Sequence, residues 1–111
     1  MRIALTWTFA VVAATGCLRT SAPAPPKTVS VAISQIAFQQ AEVAAAVGDT
    51  IEWTNHDVVD HTATERHELW NVIVPAGKSA RVVLNTAGTF EYYCRFHPNM
   101  TARLVVAAPT R

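Results

Sequence analysis

The stretch Gly88-Thr89-Phe90-Glu91-Tyr92-Tyr93-Cys94-Arg95-Phe96-His97-Pro98-Asn99-Met100 joins two patterns. In its first half Phe90, Tyr92 and Cys94 alternate with Glu91, Tyr93 and Arg95, the period of a strand that turns one face to a core and carries the thiol inward. In its second half a thiol, an imidazole and a thioether follow one another at intervals of three, and Pro98 stiffens the loop between His97 and Met100. A structural cysteine in a core accounts for the first pattern but not for the second. Soft thiolate and thioether donors beside imidazole nitrogen suit copper, and two His with one Cys and a distant axial Met make an electron-transfer copper site. That set needs a second imidazole. His61 is the candidate, because it stands at the start of the β-favouring Thr62-Ala63-Thr64, where a loop can aim it. His56 in the turn Asn55-His56-Asp57 and His67 in the polar run Glu65-Arg66-His67-Glu68 are expected to be solvated.

Outward from this stretch the chain is punctuated by turns every eight to twelve residues. Val29, Val31 and Ile33 alternate with Ser30 and Ala32, so structure should begin near Thr28. In the Ala-rich segment from Ile36 to Val47, propensity alone admits a helix over Gln39 to Ala46. It runs directly into the turn signal Gly48-Asp49 and the alternating Ile51-Glu52-Trp53-Thr54, so a hairpin or a corner between sheets is the better reading. Strands follow over Trp70 to Val74, Ser79 to Leu84, Thr89 to Cys94 and Leu104 to Ala107. The expected fold is an all-β sandwich of antiparallel sheets.

The 111 residues, half of them hydrophobic, suffice for one small domain. A net charge of +1 without a basic run gives no reason to expect nucleic acid. At the N-terminus Met1 and Arg2 precede an apolar run from Ile3 to Ala14, too short to cross a bilayer and suited to an export signal. Ala14-Thr15-Gly16-Cys17 resembles a bacterial lipobox, whose cysteine takes lipid. The expected organisation is a signal over residues 1–17, a Pro/Ala-rich linker over 18–28 that acts as an extended tether, and one domain over 29–111. The protein should then be exported, periplasmic or at the cell surface, and held to a membrane through Cys17. In an exported chain a lone Cys94 needs burial or a metal to protect it from oxidation.

Two blocks carry a resemblance to the small blue copper proteins, the cupredoxins, and among them to the plastocyanin and amicyanin group. Val47-Gly48-Asp49-Thr50-Ile51-Glu52-Trp53-Thr54-Asn55-His56-Asp57, with His61 beyond it, is similar to the first conserved block, and Gly88 to Met100 to the second. The two residues between His97 and Met100 are similar to amicyanin, where plastocyanins have a longer gap. The resemblance implies a Greek-key sandwich of about seven to eight strands. It also implies one copper ion cycling between Cu(I) and Cu(II) on His61, Cys94, His97 and Met100, and a monomeric one-electron carrier between redox proteins. A copper chaperone or storage module of the same fold is the alternative. Enzymatic activity is not expected, since four protein donors leave no open position for a substrate. Thr62 stands where the family often has Asn, so the tie between the two ligand loops is either weakened or rebuilt through the hydroxyl.

Overall fold

The structure is a computed structural model that describes residues 10–16 and 24–109. Residues 10–16 have no regular secondary structure and are exposed. Cys17 lies outside the described residues, as does most of the expected linker.

Nine strands are described: β1 (Thr28–Ser34), β2 (Ala37–Phe38), β3 (Glu42–Ala46), β4 (Thr50–Asn55), β5 (His61–Glu65), β6 (Asn71–Val74), β7 (Ser79–Val83), β8 (Gly88–Tyr93) and β9 (Thr101–Ala107). They form two sheets, ordered β2-β1-β4-β7 and β3-β9-β8-β5-β6. The first strand begins at Thr28 as the alternation predicts, and β5 begins at His61. The Ala-rich segment holds β2 and β3 and no helix, and β3 pairs with β9 while β4 pairs with β1. Gly48-Asp49 is therefore a corner between sheets and not a hairpin. Gly48 has a φ of 98°, a conformation that glycine adopts without a steric penalty. The Asp49 carboxylate holds the corner by accepting N–H bonds from Lys27 (3.0 Å) and Ala46 (2.9 Å).

Two expectations need correction. The sheets are mixed, because β1 runs parallel to β4 and β3 parallel to β9. Alternation reports which face a strand buries but carries no information about strand direction. The strand count is nine among the described residues, against seven to eight, because a short β2 folds back on β1. Ile33 pairs with Phe38 and Ser34 with Ala37, which leaves Gln35 and Ile36 as a two-residue turn with φ of 53° and 56°. Such turns favour Asn-Gly, and a β-branched residue at positive φ is a backbone outlier, so residue preferences hide this hairpin.

The core lies between the sheets and is centred on aromatic rings. Tyr92 packs edge-on against Phe38 at 4.7 Å and Trp53 at 5.6 Å between centroids, and Trp70 packs on Phe90 at 5.6 Å. Val31, Ile33, Ile51 and Leu104 fill the space around them. Burial of Tyr92 pushes its phenol up to about 12, so it stays neutral in the core. This packing anchors β8 two residues before Cys94.

Candidate metal centre

Strand ends bring the predicted donors to one pole of the sandwich. His61 opens β5, Cys94 follows the last residue of β8, and Met100 precedes the first of β9. The spacing of three has a backbone cause. The carbonyl of Cys94 accepts the His97 N–H at 3.2 Å and the carbonyl of His97 accepts the Met100 N–H at 2.8 Å, so two consecutive turns each advance the chain by three residues. Cys94 N–H then donates to the Met100 carbonyl at 3.0 Å and closes the loop as the root of the β8–β9 hairpin.

Within this loop the Cys94 Sγ stands 3.7 Å from His61 Nδ1 and 3.7 Å from His97 Nδ1. The three donor atoms lie within 4.8 Å of one another, the one such cluster found among the described residues. Donors that bind one ion at roughly 2.0–2.3 Å and 120° apart would be about 3.8 Å from each other. The sulfur–nitrogen spacings thus fit a shared trigonal ion. Met100 is only 4 % exposed and lines the same shallow hollow as His97. His61 and Cys94 are fully buried, whereas His97 is partly exposed. His56 and His67 stay outside the cluster, as expected. The His67 side chain is 87 % exposed, and its Nδ1 meets the buried Glu65 at 3.1 Å.

Around the donors stands a shell of hydrogen bonds. Thr62 N–H donates to Cys94 Sγ at 3.3 Å. The Thr62 hydroxyl oxygen accepts the Arg95 N–H at 2.8 Å, so the tie between the ligand loops is rebuilt through this hydroxyl. Thr62 Oγ1 also lies 3.0 Å from Thr64 Oγ1, which donates to Asn71 Oδ1 at 2.9 Å. Since each hydroxyl has a single proton, the chain runs from Arg95 N–H through Thr62 and Thr64 to Asn71.

Asp57 was legible in the sequence only as a turn residue. Its Oδ2 lies 2.7 Å from His61 Nε2, and its two oxygens accept the N–H groups of Gln35 (2.8 Å) and Ile36 (2.9 Å). The Ile36 N–H, then the His61 ring and the Gln35 N–H, outweigh partial burial and hold its carboxyl below the usual range. The buried Asn55 side chain accepts the Asp57 N–H at 2.9 Å and donates to the carbonyls of Val59 and Val74. An Asx turn ahead of a buried His, four residues before it, is the sequence signal available for this role.

A sandwich whose strand ends gather one thiolate, two imidazoles and a thioether defines a mononuclear type 1 copper fold. The cupredoxin-like domain family matches residues 2–106, and the chain belongs to that family. Its relatives include amicyanin-alpha of Methylorubrum extorquens, 27 % identical over 99 residues that cover 84 % of this chain and 83 % of that protein. The reduced state of an amicyanin with a proline-to-phenylalanine substitution superposes with a TM-score of 0.65 at 26 % identity, covering 71 % and 81 % of the two chains. Amicyanin of Paracoccus versutus gives 0.64 at 26 % identity over 78 % and 93 %.

Proposed function

We propose that this chain is a type 1 copper protein that carries single electrons between redox partners, with His61, Cys94, His97 and Met100 as the ligands of one ion. The observation that carries this reading is the pair of equal 3.7 Å sulfur–nitrogen spacings around the buried Cys94 sulfur. When bound, copper supplies a one-electron couple between Cu(II) and Cu(I). Cys94 connects the site covalently to β8, and backbone hydrogen bonds tie the loop from Cys94 to Met100 together without an ion. A site that the chain itself assembles suits a carrier. Burial of His61, Cys94 and Met100 argues against the chaperone alternative, which needs donors that an acceptor can reach. Four protein donors leave no position for substrate, so the reading is a carrier and not an enzyme.

His97 is the proposed electron port. It lies in a hollow with Ile36, Phe96, Pro98, Asn99 and Met100, and Phe96 is 55 % exposed. An apolar rim lets a redox partner dock there and exclude water from the path. A Phe96→Glu variant should keep the wild-type spectrum and exchange electrons at least tenfold more slowly, as stopped-flow or NMR line broadening would read. The central test is the absorption spectrum with Cu(II). Wild type should show an intense red-absorbing thiolate band, and Cys94→Ser should lose it while keeping the circular dichroism of a β-sandwich. A wild-type protein that binds one Cu(II) without colour would refute the assignment.

Residues 1–17 are proposed as an export signal with lipid on Cys17, and residues 18–28 as the tether of a periplasmic or surface protein. A tether of that kind raises the effective concentration of membrane-bound redox partners. Mass spectrometry of protein from the native host should find diacylglycerol on Cys17. A chain that starts beyond Cys17 would end this proposal.

A further inference from the structure

One side chain grips the backbone on both flanks of His61. Asn55 is the last residue of β4, in the sheet that does not contain His61, and it is 1 % exposed. Its amide nitrogen donates to the Val59 carbonyl at 2.8 Å and to the Val74 carbonyl at 3.0 Å. Val59 stands two residues before His61, and Val74 is the residue paired with His61 across β5 and β6. The amide oxygen accepts the Asp57 N–H at 2.9 Å, and the Asn55 N–H donates to the Lys78 carbonyl at 2.8 Å. Two carbonyls on one side and an N–H on the other leave the amide a single satisfied orientation. Asn55 thus joins the two sheets at the metal pole.

We propose that Asn55 is a positioning residue of the metal centre: by clamping the carbonyls on both flanks of His61 from the opposite sheet, its amide sets where His61 stands relative to Cys94. The need for such a clamp follows from the strand pairing. Strands β5 and β8 are in register at Thr64–Tyr93 and Glu65–Tyr92, so their backbone ladder stops short of His61. Beyond it β5 meets the Cys94 loop through the Cys94 sulfur and the Thr62 hydroxyl. The other edge of β5 is laddered to β6 as far as His61–Val74, and Asn55 holds that final pair. Without its two N–H donors the Val59 and Val74 carbonyls lose a buried partner and shift to find another. A donor set works within about 0.5 Å of its productive geometry, so a small shift there moves His61 out of reach of a shared ion. Copper discriminates most, because a trigonal set with a distant thioether is imposed by the fold, whereas zinc settles in a tetrahedron.

This inference rests on the copper reading for its effect on metal preference, but the clamp is a property of the metal-free chain. In apo wild type the side-chain amide protons of Asn55 should exchange with deuterium as slowly as the backbone amide of Leu104 in the core. Rapid exchange of those protons in the folded protein would overturn the proposal, and this measurement needs no variant. Asn55→Asp keeps the size and the acceptor for the Asp57 N–H but removes both N–H donors. In the apo variant the Thr62 N–H, which faces Cys94 Sγ, should gain at least tenfold more in exchange rate than Leu104 does. Equal acceleration at the two positions would mean a general loss of stability, and that result would also overturn the proposal. With metal, the variant should lose about 10- to 100-fold in Cu(II) affinity and less in Zn(II) affinity. Equal losses for the two ions would remove Asn55 from the positioning of His61. Failure of wild type to take up copper would instead refute the carrier reading and leave both exchange tests in force.

Discussion

At the scale of single residues, Thr62 does more than its position beside a ligand suggests. Its N–H faces the thiolate and its hydroxyl ties the Cys94 loop to β5 through Arg95. A Thr62→Val change keeps the shape and the backbone contact but leaves the Arg95 N–H without its acceptor. Loss of a partner costs about 1–3 kcal/mol for a buried donor and less for this part-buried one. Urea unfolding of the apo protein should show that loss, with Thr62→Asn closer to wild type because an amide oxygen can accept the same bond. Equal midpoints for Thr62→Val and wild type would show that water replaces the hydroxyl. The adjacent Cys94 tolerates replacement differently. Its side chain is small and buried, so Cys94→Ser should alter colour far more than stability.

At the scale of elements, the β1–β2 hairpin combines local strain with a role at the metal pole. Left-handed backbone costs roughly 1–2 kcal/mol for an ordinary L-residue, and least for Asn or Gly. Ile36→Asn should therefore stabilise the apo chain by about 0.5–1 kcal/mol, because its N–H bond to Asp57 does not involve the side chain. The half-exposed Ile36 side chain also contributes to the rim around His97. The same variant should thus be more stable and yet slower in electron exchange, a split that differential scanning calorimetry and exchange kinetics can measure on one sample. A destabilised Ile36→Asn would mean that Ile36 packing outweighs its backbone conformation. The Cys94–Met100 loop is the opposite case, since its two successive turns need no left-handed residue and its geometry follows from ordinary backbone bonds.

For the whole molecule, two carboxylates outside the donor cluster join Asp57 in setting the response to acid. The Lys27 N–H, followed by that of Ala46, holds the Asp49 carboxyl below its ordinary range. Burial pushes the Glu65 carboxyl up, but N–H bonds from Leu69 and His67 and the His67 ring outweigh it, so this group too is held low. A carboxyl lowered on folding stabilises the native state fully above its unfolded value, here 3.8 for Asp49 and 4.5 for Glu65. That stability is lost as pH falls through the lower folded values. The melting temperature of the apo protein should consequently be flat from neutral pH to about 5 and fall steeply below about 4. Asp49→Asn should be less stable at pH 7 and flatter in acid. A variant that keeps the wild-type acid slope would remove Asp49 from this account. The corner it braces is where the chain passes from sheet to sheet, so local unfolding there should propagate across both layers.

The sequence by itself determined the all-β class, the start of β1 at Thr28 and the four candidate donors, because period-two burial and ligand spacing are local properties. His61 could be chosen over His56 and His67 from its strand-start position alone. Strand direction, the β2 hairpin and the corner at Gly48-Asp49 were decided only in three dimensions, because pairing partners lie far apart along the chain. Asp57 belongs with these. Nothing local distinguishes it from any turn aspartate, and its role exists only because folding places the Gln35–Ile36 turn on one side of its carboxylate and His61 on the other.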